Sequence, residues 1–197
     1  MELINRPKTA KGETTLKNII TAAENVFYKK GYNGSTIRDI AKEAGISVGT
    51  IYIYFADKKS IYDHLLLQYS KYIRSNISKR IAGVKSRREA ERLGLLVFME
   101  IVKKNKHIYN IIWESLYIDK QEFVDYYMNF SKHYKKSLDD AVEGGELSGI
   151  DTEILSWVLM GISNFIGLRY VMFSEDTDFE YIVDKVMDIL DKGLFNR

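Results

Sequence analysis

The sequence predicts an all-α fold of about nine helices. Apolar residues recur at spacings of three and four along most of the chain, which is the period of an amphipathic helix. Pro7 is the single proline among 197 residues, so almost nothing interrupts helices after the start. No Asn-Gly turn joins two runs of alternating apolar and polar residues, as it would in a β-hairpin. A hydrophobic content of 46% is ample for a packed core.

Three short helices are predicted in the first part of the chain, after a loose polar arm at residues 1–12. The first has an apolar residue at every third or fourth position between residues 16 and 27, and Gly31 is a good stop for it. Thr36, followed three residues later by a carboxylate, begins the second helix. Ser47 is a natural N-cap for the third, which extends for about two turns.

The second and third helices form a predicted helix-turn-helix. The turn between them contains Gly45, which tolerates the positive φ that such a turn needs. The third helix opens with the small and hydroxylated side chains of residues 47–50, which suit entry into the ~12 Å major groove of DNA. Residues 1–60 carry a net charge of +4 and the remainder −2, which also favours nucleic-acid contact through the first part.

Polar caps and glycines delimit six further helices. They are predicted at residues 57–81, 86–105, 107–117, 121–143, 151–173 and 178–195. The last opens with a capping box, Thr177 to Glu180, and carries an apolar stripe that reaches Leu194. We therefore expect two domains, an arm with a helix-turn-helix at 1–60 and a helical body at 61–197.

Residues 154–173 are numerous and apolar enough to raise the question of a membrane span, which needs about 20 residues. Two serines, Asn164 and Arg169 interrupt this stretch. We therefore predict a buried helix shared with a partner subunit, and no membrane partner.

One motif resembles the DNA-binding head of the tetracycline-repressor (TetR) family and covers roughly residues 14–65. It reads Ile20-x-x-Ala23-x-x-Val26-Phe27-x-x-x-Gly31-Tyr32, then Thr36-x-x-x-Ile40-Ala41-x-x-Ala44-Gly45-Ile46-Ser47-x-Gly49-Thr50-Ile51-Tyr52-x-Tyr54-Phe55-x-x-Lys58. Lys59 departs from the pattern, because the family usually has an acid there. The remaining two-thirds of the chain resembles the family only in length and helical layout.

The resemblance implies a cytoplasmic, homodimeric repressor that binds a palindromic operator in double-stranded DNA and that a small hydrophobic effector releases. The implied DNA-binding residues are Thr36, Arg38, Ser47, Val48, Gly49, Thr50, Tyr52, Tyr54 and Lys58. By this resemblance the first two meet backbone phosphate, the next four face the groove, and the last three hold flanking phosphates.

The resemblance also implies that the body holds an effector and forms the dimer. The predicted ligand-binding residues are Phe98, Val102, Ile112, Trp113, Tyr127, Phe130, Tyr134 and Asn164. The last two helices should pair with their counterparts as a four-helix bundle. The predicted interface residues are Trp157, Phe165, Ile182, Val183, Val186, Met187 and Leu190.

The alternative is a helical, DNA-binding architectural protein that senses no ligand. An enzyme is disfavoured, because the three histidines have no metal-site spacing and the chain has no phosphate-binding glycine loop. The absence of cysteine excludes disulfides, thiolate metal sites and cysteine nucleophiles, so no cofactor or metal is expected. A basic cluster at residues 71–92 is either a second nucleic-acid face or, as we favour, a solvated corner.

Overall fold

The computed structural model describes residues 4–193, and within that range it contains nine α-helices and no strand. The helices are α1 (Ala10–Lys30), α2 (Ile37–Glu43), α3 (Val48–Tyr54), α4 (Lys58–Ile81), α5 (Arg87–Lys104), α6 (His107–Ile118), α7 (Lys120–Glu143), α8 (Thr152–Gly167) and α9 (Phe179–Lys192). The all-α prediction is therefore confirmed. Leu194, predicted as the end of the last apolar stripe, lies outside the described residues.

Local capping sets the ends of the helix-turn-helix elements. The Thr36 hydroxyl accepts the N–H of Asp39, and the Asp39 carboxylate accepts the N–H of Thr36, which completes a capping box at α2. Ser47 caps α3 by accepting the N–H of Thr50. Gly45 lies between them with φ of +66°. These caps and the turn are as the sequence predicts.

Three helix boundaries differ from the prediction. α1 starts at Ala10, because the Thr9 hydroxyl accepts the N–H of Gly12 and begins the helix within the predicted arm. α9 is capped by Asp178 in place of Thr177, since a carboxylate suits the positive end of the helix dipole. α8 ends at Gly167 and continues as a π-helical turn, Leu168–Met172.

The chain forms two compact units, which divide after Ser70, Lys106 and Tyr126. The first unit holds α1 to α3, the first half of α4, and α6. The second holds the rest of α4, α5, most of α7, α8 and α9. The sequence placed a single domain boundary near residue 60, whereas these units assign α6, far along the chain, to the same unit as the helix-turn-helix.

Each unit has its own apolar core. In the first, α1 packs against α2 and α6, and α2 against α3, with large side chains fully buried at Phe27, Ile40, Ile51, Phe55, Ile61, Leu65, Ile108 and Ile111. In the second, α5 packs against α8 and α9, with Met99, Val102, Leu138, Val171 and Val183 at 0% exposure. The helix-turn-helix is thus supported by helices that precede and follow it.

Candidate nucleic-acid interface

The short helix α3 buries one side and exposes the other. Ile51 and Tyr54 face the core of the first unit, whereas Tyr52 is 51% exposed. Its first turn presents Gly49, which is exposed, and the paired hydroxyls of Ser47 and Thr50, 2.9 Å apart. A narrow, hydroxylated helix end can approach base edges and phosphates.

Tyr54 differs from Tyr52 in burial, although the family resemblance implied that both hold phosphates. Its side chain is 8% exposed, and it packs within the first unit with its hydroxyl near the start of α1. Only Tyr52 of this pair presents its ring to solvent.

The start of α2 carries an exposed cation, Arg38, next to an acid, Asp39, that is held in an ion pair. Arg38 is exposed, and the neighbouring Thr36 is exposed at the cap. Lys30 donates to Asp39 at 2.6 Å, and this hydrogen bond, with those from Thr36, lowers the pKa of Asp39 to about 2. The Asp39 carboxylate is therefore ionised at physiological pH, and the Lys30 ammonium balances its charge. The positive charge of Arg38 remains available to an anion.

Lys58 holds the loop between α1 and α2. Its ammonium donates to the carbonyl oxygens of Tyr32, at 2.6 Å, and Ser35, at 2.8 Å, and lies 4.1 Å from the centre of the Tyr32 ring. Burial lowers the pKa of Lys58, and the Glu114 carboxylate acts in the opposite direction. Since an ammonium has three donors, one remains for a phosphate.

Glu114, on α6, is a functional candidate that the sequence analysis missed. Its carboxylate accepts the N–H of Tyr32 at 2.7 Å and lies so close to Gly31 that a Cβ there would be 2.8 Å from an oxygen. The Tyr62 hydroxyl donates to the carbonyl of Ile111, a second bond to α6. The Glu114 contact connects α6 to the loop that precedes α2, and the Tyr62 contact connects α6 to α4. The available signal was the single acid on a predominantly apolar helix.

The predicted ligand-binding residues divide between the two units. Ile112 and Trp113 belong to the first unit, and the other six to the second. Within the second unit the Tyr127 hydroxyl donates to Asn164 Oδ1 at 3.5 Å, and Asn164 donates to the carbonyl of Met160 at 2.8 Å. Burial raises the pKa of Tyr127 to about 12, so its hydroxyl stays neutral and can donate. Tyr127 and Asn164 therefore form a polar pair among apolar neighbours.

The remaining predicted ligand-binding side chains of the second unit differ in burial. Phe98 and Phe130 are half-buried, and Val102 is fully buried. Tyr134 is half-buried, donates to Glu91 and lies under Arg87. An open cleft of about 350 Å³ on the same unit lies elsewhere, between α4 and α5, and none of the predicted residues lines it.

Three of the predicted dimer-interface residues on α9 are buried within the single chain. Val183, Val186 and Met187 are 0%, 7% and 3% exposed within the single chain, because this stripe packs on the chain's own core. They present almost no surface to a partner. Trp157 at 41%, Phe165 at 63% and Leu190 at 36% remain exposed, and Ile182 is half-buried.

Seven apolar or aromatic side chains of α8 and α9 are exposed on the single chain, three of them among the predicted interface residues. They are Ile154, Trp157, Val158, Phe165, Tyr181, Ile189 and Leu190, and we call the surface to which they contribute the α8–α9 face. Thr152–Met172 is also the one stretch of the described chain that is long and apolar enough, by length and composition alone, to cross a membrane, and 28% of its most apolar window is buried.

The basic cluster at 71–92 separates into two parts. Arg88 donates to Asp191 and Arg92 to Asp184, each at 2.7 Å, so these arginines fix α9 beside α5. Lys79 and Arg80 line the open cleft between α4 and α5. The cluster is thus partly an intramolecular ion-pair network.

The sequence and the fold both match known bacterial regulators. Residues 19–65 match the family profile described as bacterial regulatory proteins, tetR family. The chain is 25% identical over 187 residues to the fatty acid metabolism regulator protein of Bacillus subtilis, an alignment that covers 91% of this chain and 95% of that protein.

Two solved structures share the fold. The fatty acid degradation regulator FadR of Bacillus halodurans superposes with a TM-score of 0.82 at 21% identity, covering 98% of this chain and 100% of that one. The transcriptional regulator FadR of Bacillus subtilis, solved in complex with stearoyl-CoA, has a TM-score of 0.79 at 21% identity, covering 91% of this chain and 100% of that one.

Proposed function

We propose that this chain represses transcription as a homodimer on a palindromic operator. It belongs to the tetR family of bacterial regulatory proteins and is a ligand-responsive, DNA-binding transcriptional regulator. The observation that carries the proposal is the exposed first turn of α3 inside the matched head. A repressor acts where the operator DNA lies, so the proposal includes a cytoplasmic location.

DNA is bound through the two short helices of the head. Ser47, Val48, Gly49 and Thr50 enter the major groove, where small side chains allow the helix end to come close to the bases. Thr36, Arg38 and Tyr52 contact phosphates on either side. Lys58 fixes the α1–α2 loop and offers its third donor to the backbone, and the buried Tyr54 supports α3 from within.

The α8–α9 face forms the dimer. Ile154 is 63% exposed and Val158 48%, one helical turn apart, and both lie on a helix that also exposes Trp157. Apolar surface of this kind is stabilised when a second copy covers it. Two heads are then available for two half-sites, as a palindrome requires. Residues 154–173 are therefore an interface helix, and Asn164 and Arg169 are at odds with a membrane span.

The effector is a long-chain acyl-CoA or a closely related lipid thioester. The relative of Bacillus subtilis named as a fatty acid metabolism regulator, and the related fold solved with stearoyl-CoA, support this class. Apolar side chains of the body would surround the acyl chain of the effector. The Tyr127–Asn164 pair would form hydrogen bonds with its thioester end. Binding releases the protein from DNA.

Footprinting and titration test the proposal. The purified protein should protect one short inverted repeat in the DNA upstream of its own gene, whereas an architectural protein would coat the DNA broadly. Stearoyl-CoA should release the protein from that site, and palmitate or free CoA should do so at least tenfold less well. Broad protection, or no protection, would contradict operator binding.

The polar pair provides a matched test of the effector site. Asn164→Leu should retain operator affinity but shift the stearoyl-CoA midpoint at least tenfold, equivalent to about 1.4 kcal/mol. Asn129→Leu, the same change at an exposed position of α7, should leave the midpoint unchanged. Equal midpoints for both variants would remove Asn164 from the effector site.

A further inference from the structure

The residues before α1 are attached to the end of α3. The backbone N–H of Asn5 donates to the carbonyl of Tyr54 at 2.9 Å, and its side-chain amide donates to the carbonyl of Ile53 at 3.1 Å. Carbonyls in the last turn of a helix have no partner within the helix. Asn5 therefore supplies the missing donors and fixes the arm to the helix that carries the DNA contacts.

A second contact holds the arm against α1. Pro7 lies so close to Gly12 that a Cβ on Gly12 would be 2.6 Å from the Pro7 Cβ, and it would also lie 3.5 Å from the Tyr54 hydroxyl. A Cβ–Cβ approach below about 3 Å forces one of the two atoms to shift. Gly12 thus permits the chain to fold back tightly, and the arm at residues 5–9 is placed by contacts at both ends.

The docked arm is strongly basic. Arg6, Lys8 and Lys11 are exposed, and residues 4–12 include no acid. Among the described residues, no carboxylate lies within 4 Å of any of these three cations, whereas Lys30 and Lys59 of the same unit pair with acids. The arm therefore presents unneutralised positive charge beside the C-terminal end of α3.

We propose that Arg6 and Lys8 bind backbone phosphates of the operator next to the α3 contact, with Asn5 as a positioning residue. The inference rests on the proposed operator binding. A duplex carries a phosphate about every 3.4 Å along each strand, so a docked cation at the edge of a groove-bound helix meets backbone charge. Phosphate contacts set register and affinity without reading sequence.

Salt dependence is the direct measurement. The variant Arg6→Gln/Lys8→Gln should bind the operator roughly tenfold more weakly near physiological salt, about 1.4 kcal/mol. The slope of log K against log salt is negative, and its magnitude should decrease by about 0.9 for each lost phosphate contact, hence by roughly 1.8. The control Lys132→Gln/Lys136→Gln removes the same charge from exposed positions on α7 and should leave the slope unchanged.

The positioning role has its own test. Asn5→Ala keeps both cations but removes the side-chain bond to Ile53, so it should weaken operator binding severalfold with an unchanged melting temperature. Equal slopes for the Arg6/Lys8 double variant and the wild-type protein would overturn the inference, as would an equal loss in the α7 control. A wild-type protein that binds no duplex would instead contradict the proposed function itself.

Discussion

The α8–α9 face makes a quantitative prediction about assembly. Ile154 and Val158 are 63% and 48% exposed, so roughly half of each side chain remains to be buried by a partner. Full burial of such a side chain contributes about 1.5–3 kcal/mol, so the remaining half contributes about 1 kcal/mol. Two side chains on each of two protomers then contribute roughly 4 kcal/mol, about a thousandfold in the dimer dissociation constant.

The variant Ile154→Glu/Val158→Glu should therefore sediment as a folded monomer at micromolar concentration, where the wild-type protein sediments as a dimer. Because one head reaches only one half-site, the variant should also lose high affinity for the palindromic operator. Far-UV circular dichroism and the melting transition of the body should be retained.

Two controls separate assembly from folding. Val124→Glu/Val142→Glu introduces the same charges at exposed valines of α7 and should remain dimeric. Val186→Glu, by contrast, places a charge at a position 7% exposed and should lower the free energy of unfolding by at least about 3 kcal/mol. A dimer of unchanged stability for the Ile154/Val158 variant would refute the assignment of the interface to this face.

Three further predictions concern the head. Glu114→Gln keeps an acceptor for the Tyr32 N–H but loses the negative charge, so urea denaturation should show a loss of about 1 kcal/mol in the free energy of unfolding. Glu114→Ala should lose about 2 kcal/mol, because a half-buried N–H is then unpaired. Wild-type stability of both variants would contradict this role. Tyr52→Ala should weaken operator binding severalfold at an unchanged melting temperature, whereas Tyr54→Ala should lower that temperature; the reverse pattern would exchange their roles. The pKa of Asp39 is about 2 in the folded state and 3.8 ordinarily, so the ionised carboxylate stabilises the fold above about pH 4, and this stabilisation is lost as the pH falls through 2. Asp39→Asn should remove that part of the acid unfolding curve. An unchanged curve would argue against the ion pair with Lys30.

The sequence by itself determined the features that depend on neighbouring residues. The capping box of Thr36 and Asp39, the Ser47 cap and the positive φ of Gly45 are interactions within four residues, so the residue pattern is sufficient to predict them. The period of the apolar residues likewise predicts nine helices and no strand. The dense motif in the head was sufficient to identify the family.

Only the tertiary structure decided which partner covers each apolar stripe. Periodicity shows that α9 has an apolar side, but it carries no information about whether the cover is the same chain or a second copy. Packing on α5, held by Arg88 and Arg92, assigns Val186 to the chain's own core and leaves Ile154 and its neighbours on α8 open.

Contacts between residues far apart in the chain were likewise decided only by the tertiary structure. Glu114 reaches Tyr32 across 82 positions, and Asn5 reaches Ile53 across 48. Neither pair leaves a local pattern, because both hydrogen bonds go to backbone groups that every residue possesses. The helices and the family could therefore be read from the sequence, whereas the attachment of α6 and of the arm to the DNA-binding head depended on how the helices pack in three dimensions.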